Sequence, residues 1–195
     1  MKMYYLLAAS TFATFLFCSS VVCSAVLESD LLAKAEQGDA LTQNNLGWNY
    51  FNGYGVEQDY GKAVYWFMKA AEQGFVDAQN NLGFCYENGY GVEQDYEKAI
   101  EWFTKAVEQG HAGAQNNLGG LYYAGYGVGQ DYKKAVHWYT LAAEQGLVSA
   151  QNNLGFCYEN GYGVGQDYEK ALYWYALAAE QGYAEVQKMW ASVIN

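Results

Sequence analysis

Apolar residues recur along this chain in two alternating helical patterns. In the first, Ala63, Trp66, Phe67, Ala70 and Ala71 fall at i, i+3, i+4, i+7 and i+8, an apolar stripe on one helix face. Asp59 stands ahead of that stripe, where an N-cap side chain accepts from the first free backbone N–H groups. Gly74 stands behind it, where a left-handed residue ends a helix. The stripe returns as Ala99/Trp102/Phe103/Ala106, Ala135/Trp138/Tyr139/Ala142 and Ala171/Trp174/Tyr175/Ala178, with Asp95, Asp131 and Asp167 as the matching caps. The second pattern is shorter and forms the first helix of each unit, the Trp-bearing stripe forming the second helix. Between Asp77 and Asn88, Ala78, Leu82, Cys85 and Tyr86 share one face, and Gly89 and Gly91 bracket the loop that follows, where positive φ is expected.

The two patterns form a unit with a fixed period. Asn-Asn-Leu-Gly starts at residues 44, 80, 116 and 152, a constant step of 36, and Glu-Gln-Gly and Gly-Tyr-Gly-Val keep the same step. One helix pair cannot bury its stripe alone, but a stack of pairs can. The expected fold is therefore all-α: an α/α solenoid of helix-turn-helix repeats. Residues 39–182 make four repeats, flanked by capping helices at 26–38 and 183–195. The ends break the pattern as caps should: Thr42 replaces the Ala of the other units, and Val186, Trp190 and Ala191 stand where Ala, Leu and Gly belong.

Residues 1–25 stand apart. Lys2 precedes an apolar run from Tyr4 to Phe17, and small residues at Cys23 and Ala25 fit a signal-peptidase site. The reading is a cleaved signal and an exported protein, periplasmic or secreted, with no membrane span once the signal is removed. An uncleaved N-terminal anchor is the alternative, because Tyr4 to Val26 is long enough to span a bilayer.

The net charge is −11, with ten Lys and no Arg, which argues against nucleic acid and anionic lipid as partners. Of the four Cys, Cys18 and Cys23 leave with the signal. Cys85 and Cys157 occupy one repeat position two units apart. With layers ~8–10 Å apart, their separation is about 20 Å, beyond the roughly 7 Å reach of a bridge, so no disulfide is expected. His111 and His137 sit at non-equivalent positions, and no His/Cys/Asp group has metal-ligand spacing. No catalytic residue, metal or cofactor is expected. The Gly-Tyr-Gly-Val-Gly strings at Gly125 and Gly161 read as turns, since no strand precedes them.

The combined pattern Ala-x-x-Asn-Leu-Gly-x-x-Tyr-x-x-Gly-x-Gly-Val, then Asp-Tyr-x-Lys-Ala-x-x-Trp-Phe-x-Lys-Ala-Ala-x-Gln-Gly, resembles the Sel-one-like repeat from about Leu27 to Val186. The resemblance implies a right-handed α/α solenoid of tetratricopeptide-like helix-turn-helix repeats and a scaffold or adaptor role. The Pro that often follows Gly-Val is replaced by Glu57, Glu93, Gly129 and Gly165, so a less rigid loop is expected. A cysteine-rich branch of the family, with a Cys pair in each repeat, is linked to β-lactams. This chain lacks that pairing, which leaves an envelope enzyme of that type, or a purely structural spacer, as the alternatives to a binding module.

The candidate binding residues lie on the first helices, opposite their buried face. They read Asn44/Trp48/Phe51, Asn80/Phe84/Glu87, Asn116/Gly120/Tyr123 and Asn152/Phe156/Glu159. If the first helices line the concave side, this strip suits an extended protein or peptide segment, with amides for its backbone and rings for its side chains. The alternative is that the Asn pairs and large side chains serve packing between repeats.

Overall fold

The computed structural model describes residues 31–182. The expected signal at 1–25, the first residues of the front cap and the end cap at 183–195 lie outside the described residues. Among those described, a helical segment at 31–36 is followed by eight helices of 13 residues each. They are α1 (Ala40–Asn52), α2 (Tyr60–Glu72), α3 (Val76–Asn88), α4 (Tyr96–Glu108), α5 (Ala112–Ala124), α6 (Tyr132–Glu144), α7 (Val148–Asn160) and α8 (Tyr168–Glu180). Each helix packs on the next in chain order, and α3 also meets α5 directly.

The helix ends follow from single residues. Asp59, Asp95, Asp131 and Asp167 have extended backbones, and their carboxylates accept from the N–H of Lys62, Lys98, Lys134 and Lys170 at 2.9–3.0 Å. Each first helix ends on a left-handed glycine: Gly53, Gly89, Gly125 and Gly161. The loops that lack the usual Pro are tied by a glutamine instead. Gln58, Gln94, Gln130 and Gln166 each donate Nε2 to the carbonyl of Phe51, Glu87, Tyr123 and Glu159 at 2.7–2.9 Å. The looseness expected of these loops is countered by that strap. At Gly91 only glycine fits, since φ is +70° and a Cβ would meet the Tyr60 carbonyl of the preceding repeat.

The core is a row of local clusters rather than one central mass. Tyr86 packs against both the cluster that runs up to Cys85 and the one around Phe103. Tyr122 and Tyr158 bridge the later clusters in the same way. Within each pair a ring of the second helix lies flat on the backbone of the first. A Cβ at Gly83 would stand 2.7 Å from the Phe103 ring, and one at Gly155 would stand 2.7 Å from Tyr175. The glycine of Asn-Asn-Leu-Gly is therefore a seat for an aromatic ring.

Of the two neighbouring rings in each stripe, the second is the deeper. Phe67, Phe103 and Tyr175 are fully buried and Tyr139 nearly so. Trp66 is buried, whereas Trp102, Trp138 and Trp174 are half-buried. Lys105 Nζ sits 3.7 Å above the Trp102 ring, which is where the outer edge of the stripe meets solvent. Segment 31–36 takes the place of a preceding second helix: Ala35 is fully buried and its carbonyl accepts from Gln43 Nε2 at 2.8 Å, as Ala71 does from Gln79 at 3.3 Å.

Candidate functional site

Two kinds of residue on the first helices divide the work. The asparagines join repeats. Asn81 Nδ2 donates to Asn44 Oδ1 at 3.0 Å, Asn117 to Asn80 at 3.2 Å and Asn153 to Asn116 at 2.9 Å. The acceptor oxygen of Asn44, Asn80 and Asn116 is thereby used between layers, and Asn44 is only 5% exposed. Asn152 Oδ1 is buried without a hydrogen-bond partner among the described residues, and the sequence has Met189, not Asn, at the offset of 37 that supplies the donor to the other three. The position equivalent to Asn81 thus carries the clamp, and three of the four candidate asparagines, Asn44, Asn80 and Asn116, are its acceptors.

The aromatic members stay at the surface. Trp48, Phe84 and Phe156 are 41%, 37% and 40% exposed, at the same repeat position in three of four units. They are joined by tyrosines from the loops and second-helix starts, which the sequence reading did not single out. Phe51 lies 6.3 Å from Phe84, 5.4 Å from Tyr90 and 5.1 Å from Tyr60, centroid to centroid. Two repeats on, Tyr123 lies 6.4 Å from Phe156, 5.8 Å from Tyr162 and 5.1 Å from Tyr132. Each box is thus built across one repeat junction. The signal for them was present: Tyr60, Tyr96, Tyr132 and Tyr168 follow the capping Asp in every unit, and Tyr54, Tyr90, Tyr126 and Tyr162 lie in every Gly-Tyr-Gly-Val.

Glu87 and Glu159 share a repeat position and differ in bonding. Tyr175 Oη donates to Glu159 Oε2 at 2.8 Å. The residue equivalent to Tyr175 in the second repeat is Phe103, and the Glu87 carboxylate accepts no hydrogen bond from a described residue. Burial pushes the Glu87 carboxyl above its ordinary range. Burial, then the bond to Glu159, pushes the Tyr175 phenol up as well.

Cys85 and Cys157 are free and buried. Burial pushes their thiols up to about 12 and about 11, which leaves almost no thiolate at neutral pH. His111 caps α5, its Nδ1 accepting from Ala114 N at 3.0 Å while Nε2 lies 3.3 Å from Asp77 Oδ1. His137 is exposed. Among the described residues no three His, Cys, Asp or Glu are grouped to hold a metal ion, and no helix is long and apolar enough to cross a membrane.

Stacked helix pairs with seated rings, interlayer amide clamps and a tiled aromatic strip define a right-handed α/α repeat solenoid. The Sel1 repeat model matches residues 40–75, 76–111, 112–147 and 148–183. The chain belongs to the Sel1 repeat family. It is similar to a protective antigen of uropathogenic Escherichia coli with an SLR fold: 46% identity, TM-score 0.76, covering 81% of this chain and 34% of that one. It is also similar to a Sel1 repeat protein from Oxalobacter formigenes, at 37% identity and TM-score 0.75, covering 80% of this chain and 63% of that one. The chain thus spans about a third of the first relative and less than two thirds of the second. Cysteine rich protein B of Helicobacter pylori shares the fold at 22% identity and TM-score 0.55, covering 68% of this chain and 95% of that one. No curated protein matches the chain.

Proposed function

We propose that this chain is an exported, non-catalytic scaffold that holds a protein or peptide segment along the first-helix strip. Sel1 repeat proteins generally mediate protein–protein interaction. The observation that carries the reading here is the row of Trp48, Phe84 and Phe156, large rings left exposed at one repeat position while the core is closed beneath them. Two features support placing this strip on the inner side. The Asn clamps join first helix to first helix, and α3 meets α5 directly, as the helices on the tighter side of a curved stack do. The strip offers rings for side chains and the Nδ2 side of Asn80, Asn116 and Asn152 for carbonyls. Export rests on the apolar run and small-residue site of residues 1–25. The near-identity of the units favours a tiled binding surface over a single asymmetric reaction centre.

The test pairs stability with capture. Residues 26–195 are used to isolate a partner from the native envelope fraction, and the partner is then titrated against variants. Phe84→Ala with Phe156→Ala should leave the melting temperature nearly unchanged and weaken the partner by roughly 2 kcal/mol or more, the loss typical of an interface hot spot. Equal capture by the double variant and the parent would remove the strip from the binding surface.

A further inference from the structure

The aromatic boxes at the first and third repeat junctions have a counterpart at the second that is half empty. By the repeat register, Glu87 takes the place of Phe51 and Tyr123, and Gly120 takes the place of Phe84 and Phe156. The tyrosine pair is retained: Tyr96 and Tyr126 stack at 4.9 Å and 21°, as Tyr60–Tyr90 and Tyr132–Tyr162 do at 5.0 Å. Two rings are thus missing from the middle of the strip, and a carboxylate stands in place of one of them. The gap is open above Gly120, since the nearest atom to a Cβ built there is Tyr139 Oη at 3.8 Å. Tyr139 is 5% exposed, and its hydroxyl makes no hydrogen bond with a described residue. Its equivalent Tyr175 spends its proton on Glu159.

Among the described residues no cation pairs with Glu87. Lys98, on the helix paired with α3, is held by Asp95 at 3.2 Å and lies over the Tyr86 ring at 5.4 Å. By the repeat register the half-buried Glu87 stands beside the open position of Gly120, at the junction that carries the Tyr96–Tyr126 pair, and the spare Tyr139 hydroxyl lies under Gly120. That combination suits an ammonium or guanidinium head, which gains an ion pair and the negative face of a ring while its aliphatic stem covers apolar wall. From this juxtaposition we infer that the notch at the junction of the second and third repeats is a subsite for a Lys or Arg side chain of the bound segment, flanked on both sides by aromatic boxes that take apolar side chains. The inference rests on the strip being the binding surface and specifies the chemistry of its occupant. The net charge of −11 favours a basic partner at long range, and the notch is where that preference becomes local.

The probe is a capped pentapeptide Ala-Phe-Lys-Phe-Ala, compared with the same peptide bearing Gln or Glu at its centre, titrated into residues 26–195 and followed by amide chemical shifts. The Lys peptide should bind about tenfold more tightly than the Gln peptide, with the Glu peptide weakest. Shifts should centre on Glu87, Gly120 and Tyr126 rather than on Glu159. The Lys advantage should vanish in Glu87→Gln, and in Gly120→Phe, which restores the missing ring. It should shrink in Phe103→Tyr, which gives Glu87 the hydroxyl that Glu159 already has. A Lys advantage that persists in Glu87→Gln would overturn the subsite and assign the preference to overall charge. Equal binding of the Lys and Gln peptides, with both lost in Phe84→Ala/Phe156→Ala, would overturn the subsite and leave the strip standing. If none of the peptides binds up to millimolar concentration, the strip and its subsite fall together.

Discussion

The second and fourth repeats carry first helices of nearly the same sequence in different surroundings. Residues 79–99 and 151–171 differ only at Glu93 and Gly165, so their local propensities, caps and loop straps are the same. Yet Glu159 is hydrogen-bonded and Glu87 is not, and the cause lies on the partner helix, in Tyr175 against Phe103. The neighbouring layer differs too. Phe156 meets Tyr123 below it, while the strip above Glu87 opens onto Gly120. The lesson is that in a tiled solenoid a first helix supplies a template, and its chemistry is written by the residues of the helices that pack on it.

The comparison is broken most severely at the ring seats. Phe103→Ala and Tyr175→Ala each empty a site closed to solvent, and each should cost about 3–5 kcal/mol in urea unfolding followed by circular dichroism. The loss at Phe103 should be the larger, because its cluster lies between two others while that of Tyr175, in the fourth repeat, has a described cluster on one side only. Similar small losses at both positions would show that the rings are not the centre of the core.

A smaller effect is expected at the clamps. Asn81→Ala leaves Asn44 Oδ1 unpaired at a residue 5% exposed, and should cost about 1–3 kcal/mol. Asn153→Ala releases Asn116, which is half-buried and open to water, so its cost should be lower. Equal losses would mean that burial of the acceptor does not set the strength of the clamp.

The smallest effect sharpens the comparison most. Tyr175→Phe turns the fourth repeat into a copy of the second at this point, and should cost about 1 kcal/mol for the lost bond to Glu159. The pH dependence then has a definite sign. Because burial raises the folded-state carboxyl of Glu87, the protein binds that proton more readily folded than unfolded. The stabilisation by protonated Glu87 is complete below the ordinary glutamate range and is lost as pH rises through the raised value. The melting temperatures of Glu87→Gln and the parent should therefore converge in acid, below a pH of about 4, and separate toward neutrality with the variant the more stable. A parent that gained stability relative to the variant on going to neutral pH would show that Glu87 has a cationic partner within the chain.

Periodicity was enough to set the repeat length, the number of units, the Asp caps, the glycine stops and the faces that go inward, because each depends on contacts within about one turn of the chain or on an apolar stripe repeated four times. It also marked Trp48, Phe84 and Phe156 as facing away from the buried side. Other features depended on packing. Trp102 and Phe103 are sequence neighbours separated by 100° on the helix, and only the docking of α4 on α3 decides that the phenyl ring, not the indole, rests on Gly83. In the same way Asn80 and Asn81 look alike in sequence, but the rotation of α3 makes Asn81 a donor to the layer before it and Asn80 an acceptor from the layer after it. The open carboxylate of Glu87 and the satisfied one of Glu159 could not be told apart in identical segments. Their difference arises between helices, where a hydroxyl on a neighbouring ring reaches one carboxylate and is missing at the other.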